Sequence, residues 1–307
     1  MNYTLHQLQI FLKITQLKSI TKASEALFLS QPAVSIQLKK FQDQFSIPLT
    51  EVVGRQLYVT DFGWEIAEAA QKIINEVQAI NYKTMSFKGQ IAGRLKISVV
   101  STGKYVMPYF LTDFTNQNQG VDLIMDVTNK TSVIKSLENN EVDFSLVSVV
   151  PDQLNLDRVE LMENKLYLVG GTKEKFNKNV AKAKIFETYP MLYREDGSAT
   201  RNAMESFITS RNISNPKKME LTSNEALKQA VIAGLGYSIM PLIGIKNELK
   251  NGDLRIIPYK GLPLVTNWNL VWQKSKSLSP TAKAYLEFIK AEKQRIIEEN
   301  FNWYAQY

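Results

Sequence analysis

The stretch SITKASEALFLSQPAVSIQLKKF, residues 19–41, decides the fold of the N-terminal part of this chain. It opens with a run of small residues that predicts a second helix, with Thr21 placed as its N-cap. Ser30 is placed to cap a third helix, and Pro32 is tolerated in its first turn because the amide there needs no partner. Apolar residues at helical spacing from residue 5 to residue 14 predict a first helix.

The third helix has two different faces. Val34, Leu38, Phe41 and Phe45 form its apolar face. The opposite face carries Gln31, Ala33, Ser35, Gln37, Lys39 and Lys40. A short, polar and basic outer face after a helix of small residues is what a helix-turn-helix needs to reach base edges and phosphates. A helical bundle with a solvated polar face has the same periodicity, so this alternative stays open.

A short alternating stretch follows these helices. From Val52 to Thr60 the residues alternate around Gly54-Arg55-Gln56. This pattern predicts a two-stranded wing with Arg55 at its tip, and a wing favours DNA binding over a plain bundle.

Composition limits the possible functions. The chain has 307 residues, no cysteine and a single histidine, His6. Disulfides, thiolate metal sites and cysteine nucleophiles are therefore excluded, and a Ser-His-Asp triad is disfavoured. There is no phosphate-cradling glycine loop or dinucleotide fingerprint. We expect no enzyme, no metal and no cofactor.

Charge and hydropathy bear on partners and location. The net charge of +7 indicates a polyanionic partner only weakly, because residues 1–90 hold nine basic and seven acidic residues. The N-terminus lacks the basic and apolar regions of a signal peptide, and no apolar run is long enough to span a membrane. We expect a cytoplasmic protein without membrane contact.

Residues 63–90 read as one continuous helix. Its apolar stripe consists of Ile66, Ala70, Ile73, Ile74, Val77 and Ile80. A lone helix cannot bury such a stripe in water, so we expect it to pair with a second subunit. Packing onto its own domain is the alternative.

From about Leu95 onward, strand-like runs alternate with helical ones, which predicts an α/β domain with a mostly parallel sheet. Three predicted junctions into helices each offer free amides and a positive dipole end, which favour a carboxylate or phosphate. The candidate effector-binding residues are Ser101, Thr102, Asn129, Lys130, Thr131, Thr200 and Arg201. Alternatively, the hydroxyls are ordinary caps, Lys130 is solvated, and Arg201 pairs with Glu195 or Asp196.

Three segments, residues 19–27, 30–35 and 57–63, resemble the N-terminal signature of LysR-type transcriptional regulators in both order and spacing. The resemblance implies DNA contacts by Thr21, Ser30, Gln31, Pro32, Ala33, Ser35, Lys39, Arg55 and Thr60. The chain departs from the family at Thr50 and Val52, where a Phe and an Arg are common.

The family resemblance also implies the domain organisation. Residues 1–62 form an all-α winged helix-turn-helix, and residues 63–90 a linker and dimerisation helix. Residues 91–307 form an α/β effector-binding domain of the periplasmic-binding-protein type II-like class. Its two Rossmann-like subdomains cover about 91–165 with 266–307, and about 166–265.

Residues 194–201 and 223–236 look most like the CbbR-like branch, regulators of carbon-fixation operons. The resemblance implies a homodimer or homotetramer that binds double-stranded promoter DNA, responds to a small anionic effector and meets RNA polymerase. The alternative is a cytoplasmic small-molecule-binding protein without regulatory DNA binding.

Overall fold

The computed structural model describes residues 3–54, 56–87, 89–172, 184–214 and 217–307. The chain divides into two compact units, Met1–Gln90 and Ile91–Tyr307, each with its own hydrophobic core. Within the described residues, no helix combines the length and the apolar character needed to cross a bilayer.

The N-terminal unit contains three short helices, a β-hairpin and a long helix. They are α1 (Leu5–Leu17), α2 (Ile20–Ala26), α3 (Gln31–Gln42), β1 (Thr50–Val53), β2 (Gln56–Val59) and α4 (Asp61–Phe87). The two strands pair antiparallel, with Thr50 opposite Val59. Phe11, Val34 and Phe41 are fully buried in the core. This is the winged helix-turn-helix that the sequence predicted.

Hydroxyl side chains cap the N-termini of all four helices in this unit, with Thr4 at the start of α1. The Ser30 hydroxyl accepts a hydrogen bond from the amide of Ala33, as predicted. The Thr60 hydroxyl accepts one from the amide of Gly63 at 2.9 Å. The prediction for α2 was wrong. Its N-cap is Ser19, which accepts from the amide of Lys22, because the backbone of Ser19 is already extended and the helix begins two residues earlier than expected.

The turn between α2 and α3 contains a strained residue. Phe28 has a φ of 54° and is 96 % exposed. Left-handed backbone costs an ordinary L-residue about 1–2 kcal/mol, whereas Asn adopts it more readily. The exposed ring offers no compensating burial.

We therefore expect Phe28→Asn to raise the unfolding free energy of this unit by about 0.5–1 kcal/mol. Amide hydrogen exchange of α1 and α3 measures this change. Phe28→Ala is the matched control, because it removes the ring and keeps the strain. Equal exchange in the two variants would contradict the strain argument.

The apolar stripe of α4 is shared between two environments. Ala70 and Ile74 are buried in the core of their own unit, together with Ala67. Ile73 and Ile80 remain 40 % and 61 % exposed. Packing onto the same unit thus accounts for part of the stripe, and the rest faces outward.

The C-terminal unit is an α/β structure. Its strands are β3 (Ala92–Val100), β4 (Gly120–Thr128), β5 (Phe144–Val147), β6 (Leu156–Gly171), β7 (Met191–Arg194), β8 (Lys218–Leu221), β9 (Ser238–Pro241), β10 (Leu254–Ile256) and β11 (Leu264–Gln273). Its helices are α5 (Met107–Gln117), α6 (Lys130–Glu138), α7 (Ile185–Thr188), α8 (Ala199–Ser210), α9 (Asn224–Ile232), α10 (Lys246–Asn251) and α11 (Pro280–Phe301).

Seven strands form one mixed sheet in the order β10-β6-β11-β5-β3-β4, with β9 also paired to β6. β3 runs parallel to β4 and β5, and β7 pairs parallel with β8. β6 and β11 run antiparallel to each other and to their other neighbours. The expectation of a mostly parallel sheet was wrong for this part, because the two long strands pair directly with each other rather than through helical crossovers.

Two buried clusters divide the interior of the C-terminal unit. One surrounds Trp268, Phe110 and Tyr285, and the other surrounds Phe186 and Tyr237. Two cores joined by long shared strands fit the periplasmic-binding-protein type II-like class that the sequence predicted. The carboxyl ends of β3 and β7 deliver Ser101 and Arg194 to the site described below.

Candidate functional site

The exposed face of α3 presents a polar row. Gln31 and Lys39 are exposed and Ser35 is half-buried, at four-residue spacing that places them on one side of the helix. Gln37 is less available, because its Oε1 accepts a hydrogen bond from Nε2 of Gln7 at 3.1 Å. Ile36 is 54 % exposed and adds an apolar side chain to the surface of α3, which the sequence analysis did not single out.

The other predicted DNA contacts surround this row. Thr21, Ser30, Pro32 and Ala33 are exposed on α2 and at the start of α3. The Thr60 hydroxyl donates to the carbonyl of Pro48 at 2.7 Å, so it holds the start of α4 in place. Arg55 lies outside the described residues.

The wing differs from the family norm where the sequence indicated. The Thr50 hydroxyl donates to Oε1 of Gln42 and ties the first wing strand to the end of α3. Val52 is 70 % exposed on the first wing strand, so this position presents an uncharged side chain at the surface.

The first junction in the C-terminal unit is not a helix start. A short 3-10 turn, Gly103–Tyr105, follows Ser101 and Thr102, and α5 begins only at Met107. The expectation that Ser101-Thr102-Gly103 opens a helix was therefore wrong. Gly103 packs against Val99 and Leu146 so closely that a Cβ would lie 2.6 and 2.8 Å from their side chains, which favours a tight turn there.

The other two junctions are helix N-termini that lie side by side. Asn129 caps α6 by accepting from the amide of Ser132 at 2.9 Å, and Ser198 caps α8. Gly197, with φ of +78°, approaches α6 so closely that a Cβ would lie 2.7 Å from the Thr131 hydroxyl oxygen. Lys130 and Thr200 are half-buried in the first turns of the two helices.

A buried arginine that sequence reasoning missed lies at the centre of the site. Arg194 ends β7 and is only 3 % exposed. Its Nε and one terminal nitrogen donate to the two carboxylate oxygens of Glu195, both at 2.7 Å. It also donates to the Ser101 hydroxyl at 3.2 Å and to the Asn224 side-chain carbonyl. Nδ2 of Asn224 is buried and has no hydrogen-bond partner among the described residues.

The guanidinium of Arg201 is already compensated by carboxylates. It binds Glu220 at 2.7 Å and Glu205 at 3.1 Å, and it donates to the backbone carbonyl of Arg194. The sequence analysis gave Glu195 or Asp196 as the alternative ion-pair partner of Arg201. In the structure Arg201 pairs with Glu205 and Glu220, and Glu195 pairs with Arg194. Two features of the sequence could have identified Arg194: it ends the buried strand Met191–Arg194, and it is the first residue of the run 194–201 that resembles the CbbR-like branch.

Comparisons with known proteins define the class. Residues 5–64 match the bacterial regulatory helix-turn-helix protein, lysR family, and residues 88–294 match the LysR substrate binding domain. The chain therefore belongs to the LysR family of transcriptional regulators, as the resemblance indicated.

Two relatives show which members of the LysR family this chain is similar to. The transcriptional activator CmpR of Synechocystis sp. PCC 6803 is 33 % identical over 297 residues, 96 % of this chain and 97 % of that protein. The RuBisCO operon transcriptional regulator of Allochromatium vinosum is 35 % identical over 299 residues, 96 % and 98 % of the two chains. These relatives confirm the likeness to regulators of carbon-fixation operons.

One solved structure is also similar. The CcmR regulatory domain of Synechocystis PCC 6803, determined in complex with 2-PG, has a TM-score of 0.61 and 26 % identity. The match covers 66 % of this chain and 98 % of that one.

Proposed function

We propose that this chain is a sequence-specific DNA-binding regulator whose activity is controlled by a small anion bound in the C-terminal unit. The observation that carries the DNA-binding part is the polar row Gln31, Ser35 and Lys39 on an exposed helix of a winged helix-turn-helix. A small-molecule-binding protein without regulatory DNA binding would give this row and the wing no role. A regulator of promoters acts in the bacterial cytoplasm and catalyses no reaction.

The row on α3 enters the major groove. The Gln31 amide offers a paired donor and acceptor to a base edge, Ser35 permits close approach, and Lys39 neutralises a phosphate. The remaining contacts to the backbone come from Thr21, Ser30, Pro32, Ala33, Arg55 and Thr60.

The effector is a carboxylate or phosphate held by Arg194. A buried guanidinium presents a planar fork that matches two oxygens of one anion. The Glu195 carboxylate fills that fork in the present structure, and the effector anion takes its place. The unpaired amide of Asn224 supplies a further donor. The compound 2-PG (2-phosphoglycolate), bound by the related CcmR domain, carries both anionic groups and is the first candidate.

The residues predicted from the sequence have supporting roles in this site. Ser101, Thr102, Asn129, Lys130, Thr131 and Thr200 complete the binding surface. Arg201 holds the Arg194 carbonyl through its own hydrogen bond and does not itself bind the anion.

The assembly is a homodimer or homotetramer, paired in part through the outward-facing isoleucines of α4. Two recognition helices in one assembly read two half-sites, and RNA polymerase is the further partner at the promoter. The domain limits at residues 62 and 90, and the two effector subdomains, are part of the same proposal.

Substitutions on α3 test the DNA-binding role. We expect Gln31→Ala to cost about 1–3 kcal/mol on the specific operator and to relax base preference, because a base-edge contact is lost. Lys39→Ala should weaken all duplexes alike and reduce the salt dependence by about one phosphate. Fluorescence anisotropy over a salt series measures both effects.

The control is Lys72→Ala, which removes an equal charge from an exposed position on α4. It should leave the affinity and the salt slope unchanged. Wild-type operator affinity in both α3 variants would show that another surface binds DNA.

A further inference from the structure

A cavity of about 380 Å³ lies in the C-terminal unit, and its walls do not include Arg194. Its walls include four aromatic side chains, Tyr105, Tyr109, Phe301 and Trp303, and three lysines, Lys104, Lys228 and Lys246. None of the seven effector residues predicted from the sequence lines it. A concave, partly aromatic cavity of this size suits a small organic ligand.

The buried charge in this cavity is balanced. Lys228 has a side chain that is only 9 % exposed, and it binds Glu248 at 2.7 Å and Glu225 at 3.0 Å. Burial lowers the pKa of Lys228, but the two glutamates more than offset this, so its pKa is raised. The same ion pair lowers the pKa of Glu225. Both shifts favour the charged forms of Lys228 and Glu225, and the ammonium group is held between the two carboxylates.

The charge of the remaining two lysines is offset only in part by carboxylates: Glu225 attracts Lys104 without forming an ion pair with it, and Glu248 lines the cavity. Lys104 Nζ lies 5.1 Å from the ring centre of Tyr105, and Lys246 Nζ lies 4.8 Å from that of Trp303. Within the part of the chain that the structure describes, neither lysine forms an ion pair. The cavity therefore offers two positive charges next to flat aromatic faces, which attract both an anion and a planar ring.

We propose that this cavity is a second ligand site, which binds a ring-bearing phosphate of the size of a nucleoside monophosphate. The planar ring stacks against Trp303, and the phosphate is held between Lys104 and Lys246. A small anion would not contact the aromatic wall, and an uncharged ring would not pair with Lys104 or Lys246. A ring that carries a phosphate does both and therefore fits the cavity better than either.

The second site adjoins the Arg194 site through two elements. Tyr105 follows Ser101 by four residues, and Lys228 lies one turn of α9 after Asn224. Ser101 and Asn224 are both hydrogen-bond partners of Arg194. A ligand in the cavity therefore contacts both segments that hold this arginine.

Binding of AMP tests the proposal, with ribose 5-phosphate and adenosine as probes that lack the base and the phosphate. Isothermal titration of the full chain should show saturable AMP binding, with both partial probes at least about tenfold weaker. Lys246→Ala and Trp303→Leu should each weaken AMP binding about tenfold or more. Lys250→Ala, on the same helix α10 but outside the cavity, is the matched control and should bind normally.

Two further outcomes decide the assignment. AMP binding should persist in Arg194→Met, which removes the guanidinium of the proposed effector site. The AMP site in the cavity and the effector site at Arg194 can therefore fail independently. Absence of saturable AMP binding at millimolar concentration overturns the second site. The second site is also overturned if AMP binding is lost in Arg194→Met and unchanged in Lys246→Ala. Thermal melting of Trp303→Leu shows whether the variant remains folded.

Discussion

Replacing Ile73 and Ile80 together with glutamate should convert the protein to a monomer or a smaller assembly. These residues lie seven positions apart on one face of α4 and are 40 % and 61 % exposed, whereas Ala70 and Ile74 are already buried in their own unit. A seam of apolar residues at this spacing is typical of paired helices. Two buried carboxylates without partners would be too costly for the seam to close.

The loss of assembly should carry over to DNA binding. A monomer binds one half-site and loses the gain from linked recognition helices, so affinity for the full operator should fall about 100-fold or more. Sedimentation velocity and anisotropy on full and half operators measure the two effects.

The matched control is Lys72→Glu, which changes the net charge by the same amount at an exposed position of α4. It should leave the assembly intact. An unchanged oligomer in the isoleucine double variant would place the interface on another element.

Arg194→Met should abolish stabilisation of the protein by 2-phosphoglycolate. The guanidinium provides charge-assisted hydrogen bonds in a site that is almost fully buried, so we expect affinity to fall about 10- to 100-fold. Titration calorimetry and thermal shift of the full chain measure the loss. In Arg194→Met the carboxylate of Glu195 loses its partner, which can weaken folding. The double variant Arg194→Met/Glu195→Gln removes that carboxylate charge as well and serves as a second test.

Glu195→Gln should have the opposite effect. The Glu195 carboxylate occupies the guanidinium fork at 2.7 Å, so removing its charge removes a competitor, and binding should tighten roughly fivefold. Arg201→Ala should bind almost as the wild type does, since that side chain is engaged by Glu205 and Glu220. Loss of binding in Arg201→Ala, with retention in Arg194→Met, would move the effector to the α8 terminus.

The N-terminal unit could be predicted because its determinants are local. Ser30 and Thr60 each accept a hydrogen bond from the backbone amide three residues further along the chain, and apolar spacing selects the buried face of α3. Such contacts act within a few residues, so the sequence pattern contains them directly. The cap of α2 was misplaced by two residues because Ser and Thr are both common caps, and it is Ser19 that has the extended backbone of an N-cap residue.

The effector site depends on distant parts of the chain. Local pattern placed Asn129 and Thr131 at a helix start, and the close approach of Gly197 to Thr131 brings two predicted junctions together. Arg194 was missed because its partner Ser101 is 93 residues away.

The sequence by itself determined the helix-turn-helix, the wing, the polar row on α3 and the α/β character of the second unit. Only the tertiary structure decided which arginine is buried, how α4 divides its apolar stripe, and how β6 pairs with β11. The pairing of Leu156 with Gln273 joins residues that share no local signal. Periodicity and capping operate over one helical turn or one strand, whereas burial of a charge and strand register depend on which distant segments the topology brings into contact.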